Sequence, residues 1–279
     1  MENKLEKGAL YVVGTPIGNL SDFSPRAAET LAAVDFIAAE DTRVTVKLLN
    51  HFGIKKPLVS YYEHNKQEKG SVITDRLAEG ETCALVSDAG MPAISDPGED
   101  LVALCAARGI PVDVVPGPSA VVSALAVSGL PTGRFTFEGF LSVNKKSRRE
   151  HLESLRDETR TMVFYEAPHK LPYTLQDMEA VFGDRRIALV REITKIHEQC
   201  IRTTLSAAAA HYASTPPKGE FVLVIEGAKP AEKREMTLED AVALARAAME
   251  NGSAASDAAK EAAKLSGFKK GEIYKRLME

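Results

Sequence analysis

Glu40-Asp41-Thr42-Arg43 sets two carboxylates beside a guanidinium at the end of a short apolar run. Paired acids next to an arginine can orient a substrate or move a proton. The same residues also suit a helix start, where the dipole favours acids and Asp41 or Thr42 can cap. Residue type leaves both readings open. Asp88 stands one residue past the apolar run Thr82–Val86 and precedes Ala89-Gly90. There a carboxylate could meet ligand hydroxyls or an amine, or brace the loop as an Asx-turn. Asp96 reads as a helix cap. Lys145-Lys146-Ser147-Arg148-Arg149 places four cations in five residues, in the loop after the strand Phe135–Phe140. Such a loop can grip phosphates. As a solvated helix start it would oppose the dipole, with Glu150 and Glu153 to neutralise it. Near the chain end, Lys264, Lys269, Lys270, Lys275 and Arg276 stand among Phe268 and Tyr274. They could meet RNA, but packed rings and solvated lysines are the stronger reading for so small a segment.

These residues need elements to hold them. Three times an apolar β-type run enters a Gly/Pro-rich turn. Ala9–Val13 leads to Gly14-Thr15-Pro16-Ile17-Gly18, Thr82–Val86 to Ser87–Gly98, and Val112–Val115 to Pro116-Gly117-Pro118-Ser119-Ala120. Short β-branched runs suit buried parallel strands. Ligands of open α/β sheets sit outside the carboxyl ends of such strands. The turns therefore predict a pocket built largely of main chain. The first turn is neither a dinucleotide fingerprint nor a P-loop, because Pro16 and Asn19 stand where glycines would be needed and no Gly-Lys-Ser/Thr follows.

The rest of the chain bounds the reading. Its 279 residues allow one large domain or two medium ones, and 44% hydrophobic with 27% charged content is ordinary for a globular chain. A net charge of -4 gives no global pull toward nucleic acid, so such binding must be local. Cys83, Cys105 and Cys200 lack disulfide or zinc spacing, and the six histidines lack metal-ligand spacing. No metal is expected. The N-terminus has no signal-peptide core and no apolar stretch reaches bilayer length. A reducing cytoplasm and no membrane are the expectation.

Strand–helix alternation through residue 130 predicts a mostly parallel sheet, domain 1–130. Leu130-Pro131-Thr132-Gly133 marks a boundary to a second α/β domain, 131–228, with strands at Phe135–Phe140, Arg160–Glu166, Arg186–Arg191 and Glu220–Ile225 and helices at Ser147–Arg156, Pro168–Phe182 and Thr204–Ala213. Glu192–Thr203 could itself be strand. Gly227–Met236 reads as a linker. Residues 237–279 form a small helical module of helix-turn-helix shape.

The ordered set VVGTPIGNLSD, AEDTR, SYYEHN, VSDAGMPAISDPG, VVPGPSAVVSALAVSGLP, FEGFL and FYEAPHKL resembles the tetrapyrrole-methylase-type superfamily of S-adenosylmethionine-dependent methyltransferases. Within it, the chain is similar to a family that methylates the ribose 2′-hydroxyl of a cytidine in 16S ribosomal RNA. The resemblance implies two α/β domains with the donor S-adenosylmethionine in the cleft between them, a small C-terminal helical module, and a homodimer acting on the small ribosomal subunit. The implied donor site draws on Gly14, Pro16, Ser87, Asp88, Ala89, Gly90, Ile94, Pro116, Gly117, Ser119 and Ala120. From the second domain it draws on Tyr165, Ala167, Pro168 and Gly219, Glu220, Phe221. A proton acceptor is sought among Glu40, Asp41 and Asp22. RNA contacts are sought at Arg43, Lys145, Lys146, Arg148, Arg149, Lys269, Lys270 and Lys275. The alternatives are a methylase of a small tetrapyrrole on the same fold and a non-enzymatic RNA-binding or ribosome assembly protein.

Overall fold

The computed structural model describes residues 5–229 and 236–279. Two compact units divide the chain, Met1–Ala228 and Lys229–Glu279. The linker reading of Gly227–Met236 falls largely on residues 230–235, outside the described residues.

The first sheet grows from the short apolar runs. In order come β1 (Leu10–Val13), α1 (Pro25–Ala33), β2 (Phe36–Ala39), α2 (Thr42–His51), β3 (Leu58–Ser60), α3 (Lys66–Ala78), β4 (Cys83–Val86), α4 (Gly98–Ala107), β5 (Val112–Val115) and α5 (Ala120–Ser128). The strands lie in the order β3-β2-β4-β1-β5, all parallel. Strands β1, β2 and β4 are buried along their whole length, as apolar runs covered on both faces must be. Ala27 and Leu31 of α1 and Leu49 of α2 pack on one face; Ile73, Leu77, Leu101 and Cys105 of α3 and α4 pack on the other. Cys83 and Cys105 are core residues.

The second sheet is mixed. Its elements are β6 (Phe135–Phe140), α6 (Lys145–Ser154), β7 (Thr161–Glu166), α7 (Leu171–Phe182), β8 (Arg186–Arg191), β9 (Gln199–Thr204), α8 (Leu205–Ser214) and β10 (Phe221–Ile225). The order is β6-β7-β10-β8-β9, with only β6 and β7 parallel. The ambiguous stretch Glu192–Thr203 resolves into a loop followed by β9. Two expectations change here. The cationic run Lys145–Arg149 is not a loop; it is the first turn and a half of α6, capped by Asn144, whose side chain accepts from the Lys146 and Ser147 amides. And α5, expected with the first domain, buries Val121, Ala124 and Leu125 against Val163, Val190 and Val222 of the second sheet. Its uncharged apolar sequence gives it a face for that sheet, and the chain link to β5 thereby ties the two halves together.

The second unit holds α9 (Leu238–Glu250), α10 (Ala255–Ser266) and α11 (Lys270–Met278). Thr237 and Asp240 form a capping box at its start. Ala241, Ala245, Ala258, Ala259, Ala262 and Ile273 make its core.

Candidate active site

The parallel order brings the carboxyl ends of β2, β4, β1 and β5 to one edge, so their turns meet. They meet mainly by locking onto one another. Thr15 and Gly90 exchange backbone bonds of 2.9 and 3.1 Å, and the Thr15 hydroxyl donates to the Ser87 carbonyl. The Gly117 amide donates to Met91 Sδ at 3.2 Å. A Cβ on Gly14 would lie 2.6 Å from Gly117 Cα, and one on Gly117 would lie 2.8–3.0 Å from the Gly14 backbone. These two glycines are there because backbone crosses backbone. Gly117→Ala should therefore cost about 1–3 kcal/mol of stability through overpacking, read by urea unfolding. Lost donor binding at unchanged stability would instead mean that Gly117 faces a ligand.

Above the turns lies a cavity of about 500 Å³, within the roughly 300–1,000 Å³ of small-molecule sites. From the first sheet's turns it is lined by Ile17, Glu40, Ser87, Asp88, Ala89, Gly90, Met91 and Ile94–Asp96, and from the start of α5 by Ser119 and Ala120. From the second sheet come Phe140, Tyr165, Glu166, Ala167, Pro168, Lys195 and Glu220–Val222. The sequence-derived set thus splits. Ser87, Asp88, Ala89, Gly90, Ile94, Ser119, Ala120, Tyr165, Ala167, Pro168, Glu220 and Phe221 line the cavity, whereas Gly14, Pro16, Pro116, Gly117 and Gly219 do not.

The three candidate proton acceptors also separate. Glu40 lines the cavity at the end of β2, next to β4. Its pKa is pushed up by burial, then by the negative charges of Asp88, Asp96 and Asp41, against a lowering backbone bond from Asp88. Asp41 instead caps α2 and clasps Arg43, Nη2 to Oδ2 at 2.6 Å. Those side-chain and backbone bonds from Arg43 hold its carboxyl down to about 2. Asp22 is exposed on a single 3-10 turn and is not among the lining residues. Asp88 Oδ1 accepts from the Asp41 amide at 3.1 Å, so it braces the neighbouring turn, and burial raises its pKa.

The remaining cavity carboxylates are committed. Asp96 Oδ1 accepts from the amides of Ala93 and Gly98. Buried Glu166 takes the Thr174 hydroxyl at 2.5 Å and Lys170 Nζ at 3.0 Å. Lys195 Nζ reaches Glu192 at 3.1 Å and Glu220 at 2.9 Å. Sequence reasoning passed over Lys195 because it sits in an irregular stretch with no periodicity. Among the described residues, the four non-glycine residues with left-handed φ are Ala93, Ser95, Glu192 and Thr194. All fall in the two loops that wall this cavity from opposite sheets, where backbone strain commonly collects.

The proposed RNA contacts divide as well. Arg148 is withdrawn from solvent: its guanidinium meets Asp177 at 2.8–2.9 Å and the carbonyls of Ser142 and Val143. Arg149 also bonds Asp177 but stays half-exposed. Lys145, Lys146, Arg43, Lys269, Lys270 and Lys275 are exposed, with Lys270 donating to Ser256 and Arg43 tied to Asp41.

A model of the Tetrapyrrole (Corrin/Porphyrin) Methylases matches residues 9–209. A ribosomal RNA small subunit methyltransferase I of Synechocystis sp. (strain ATCC 27184 / PCC 6803 / Kazusa) is 46% identical over 98% of both chains. One of Thermotoga maritima is 50% identical over 79% of this chain and 99% of its own. Among solved structures, uroporphyrin-III-C-methyltransferase from Thermus thermophilus superposes with a TM-score of 0.56 at 19% identity, covering 79% of this chain and 94% of that one. A uroporphyrin-III C-methyltransferase of the same organism, complexed with S-adenyl homocysteine, gives 0.51 at 19% identity over 77% and 96%. Those likenesses carry the fold, and no helix of the described residues is long and apolar enough to cross a membrane. With identity of this level along nearly its whole length, the chain belongs to the tetrapyrrole (corrin/porphyrin) methylases and, within them, to the ribosomal RNA small subunit methyltransferase I family.

Proposed function

We propose that this protein transfers a methyl group from S-adenosylmethionine to the ribose 2′-hydroxyl of a cytidine in 16S ribosomal RNA, with residues 1–130 and 131–228 as two halves of the catalytic body. One observation carries the donor assignment. Among the described residues, six carboxylates (Glu40, Asp88, Asp96, Glu166, Glu192 and Glu220) and one ammonium (Lys195) line a cavity that also holds the rings of Phe140, Tyr165 and Phe221. Excess negative charge beside aromatic faces suits an organic cation. It does not suit a phosphate. The donor supplies an electrophilic methyl group on a sulfonium, with a cationic amine and an adenosine. Asp88, the main chain of Ala89 and Gly90, Ser119, Ala120, Tyr165, Ala167, Pro168 and Phe221 would hold it; Gly14, Pro16, Pro116, Gly117 and Gly219 would shape that wall from behind.

The chain's own part in the reaction is to position and to accept a proton. A ribose hydroxyl becomes a better nucleophile as its proton leaves, so an acceptor at the site raises the rate. Glu40 fills that role. Of the three candidates it is the one that lines the cavity and forms no ion pair among the described residues, whereas Asp41 is bound by Arg43 and Asp22 stands off the cavity. Alignment of the acceptor oxygen with the donor methyl supplies further acceleration. RNA phosphates remain outside this acidic cavity, on local cations such as Lys145, Lys146 and Arg149, with Arg43 and the tail lysines Lys269, Lys270 and Lys275 as secondary contacts. The curated relatives' name supports ribosomal RNA over a small tetrapyrrole; the family resemblance supports a homodimer, and the unpaired cysteines support a reducing cytoplasm.

Mass mapping of 2′-O-methyl nucleotides on ribosomal RNA from a strain lacking the protein tests the reaction. An unchanged methylation map would sink it. Calorimetry tests the donor: Asp88→Ala should weaken S-adenosylmethionine binding by about 1–3 kcal/mol, the range for a hydrogen bond to a charged group. Wild-type affinity in a folded Asp88→Ala protein would leave Asp88 only its bond to the Asp41 amide.

A further inference from the structure

Phe140, which lines the cavity, belongs to a group of three largely exposed apolar and aromatic side chains. Phe140 is 57% exposed, Val143 77% and Tyr173 65%. Phe140 ends β6 and lines the cavity, where its ring lies 5.3 Å from that of Tyr165. The Lys170 ammonium lies 5.6 Å from the Phe140 centroid and bonds the Leu141 carbonyl. Tyr173 follows Lys170 by three residues and precedes Asp177 by one helical turn on α7. Asp177 is the residue that Arg148 and Arg149 of α6 grip, and Arg148 in turn holds the Ser142 and Val143 carbonyls. One buried ion-pair network thus fixes the loop bearing Val143, the start of α6 and the turn of α7 bearing Tyr173 as a single surface. Its exposed cations are Lys145, with no ion pair among the described residues, Lys146, which reaches Glu150 only at 3.8 Å, and half-exposed Arg149.

Rings and cations interleaved on a rigid ledge are the chemistry that binds unpaired nucleotides. Bases stack on the aromatic faces and phosphates lie on the cations. A duplex offers no free base faces to such a ledge. We propose that the ridge of Phe140, Val143 and Tyr173, flanked by Lys145, Lys146 and Arg149, holds single-stranded RNA next to the nucleotide being methylated. This rests on the reading of the protein as an RNA methyltransferase. It requires the target strand to be unpaired on at least one side, and it extends the phosphate contacts into a stacking platform continuous with the cavity through Phe140.

The test uses the full chain, a fluorescein-labelled single-stranded RNA of mixed sequence containing cytidines, and the same strand annealed to its complement. Wild type should bind the single strand more tightly than the duplex. Tyr173→Ala should weaken single-strand binding about five-fold or more, the effect of removing one base–aromatic stack, and Tyr173→Phe should restore it. The salt slope should not change with Tyr173→Ala. When Lys145 and Lys146 become Ser, it should fall by roughly 0.7 for each phosphate left without its cation. Calorimetric affinity for S-adenosylmethionine should stay at the wild-type value in all of these variants. Because Tyr173 is mostly exposed, its replacement should leave the fold intact, which circular dichroism checks. If wild type binds RNA and Tyr173→Ala binds it equally, the ridge is not the platform. The same holds if sedimentation shows Tyr173→Ala changing the oligomeric state with RNA affinity intact; the patch is then an interface between copies. A wild type that binds S-adenosylmethionine but neither RNA strands nor small ribosomal subunits overturns the RNA reading, and the ridge with it.

Discussion

Glu40→Gln should lower kcat for methyl transfer by about 10²- to 10⁴-fold, the usual contribution of a positioned proton acceptor, with a far smaller fall in S-adenosylmethionine affinity because the other cavity carboxylates remain. The amide keeps the shape of the side chain but cannot take the hydroxyl proton. The pH profile separates this role from a packing role. Burial and the charges of Asp88, Asp96 and Asp41 raise the Glu40 pKa above its ordinary 4.5. The wild-type rate should therefore climb with pH through that raised value, and the climb should vanish in Glu40→Gln. Linkage gives a second readout. A carboxyl whose folded pKa is raised adds stability below its unfolded pKa and loses that contribution as pH rises through the folded value. Glu40→Gln should accordingly be no less stable than wild type at neutral pH and should lose ground to it on acidification. A variant with near-normal kcat, or one that loses donor binding in parallel with rate, would remove Glu40 from the proton's path.

The largest stability effect is expected at Asp177. Arg148 and Asp177 have side chains only 9% and 6% exposed. Asp177→Ala leaves the Arg148 guanidinium buried with carbonyls but no countercharge, a loss of about 3–5 kcal/mol for a broken buried pair. Changing both partners, Asp177→Leu with Arg148→Met, should recover much of this, because the desolvation cost disappears with the charges. Burial pushes the Asp177 carboxyl up, but the bonds from Arg149 and Arg148 outweigh it, and its pKa ends below the ordinary value. A lowered carboxylate adds stability above its unfolded pKa, about 3.9, and that contribution fades as pH falls through the folded value. Denaturant melts from pH 7 down to 2 should thus bring wild type and Asp177→Ala closer together at the acid end. A loss below about 1 kcal/mol at pH 7 would mark the pair as a surface-like contact.

The sequence alone carries the strands, the turns and the helical tail. Runs such as Leu10–Val13 and Phe36–Ala39 are apolar throughout, and a chain that must bury both faces of a short segment makes a parallel strand of it. Local chemistry likewise bounds the helices, as with Pro25 behind the Ser24 cap of α1 or Gly129 at the end of α5. The Asn144 cap is equally local, and it sets the start of α6 ahead of the cations. The same local logic places Glu40 and Asp88 just past strand ends, which is why they fall on the cavity.

What each turn residue faces was decided only by tertiary contact. Gly14 and Gly117 look like ligand-facing glycines in sequence, yet each is the only residue small enough for the other's backbone to pass. Asp41 and Glu40 are adjacent and chemically alike. Arg43 claims Asp41, and the β2–β4 pairing turns Glu40 toward Asp88 and the cavity. Arg148 sits in a cationic run that reads as solvated, but Asp177 on another helix draws it inside. Lys195 enters the site because two carboxylates flanking separate strands, Glu192 just after β8 and Glu220 just before β10, converge on it. Local sequence sets backbone conformation over a few residues; the partner of a charge, or of a glycine, is chosen by which strands lie side by side, and that order is a property of the whole fold.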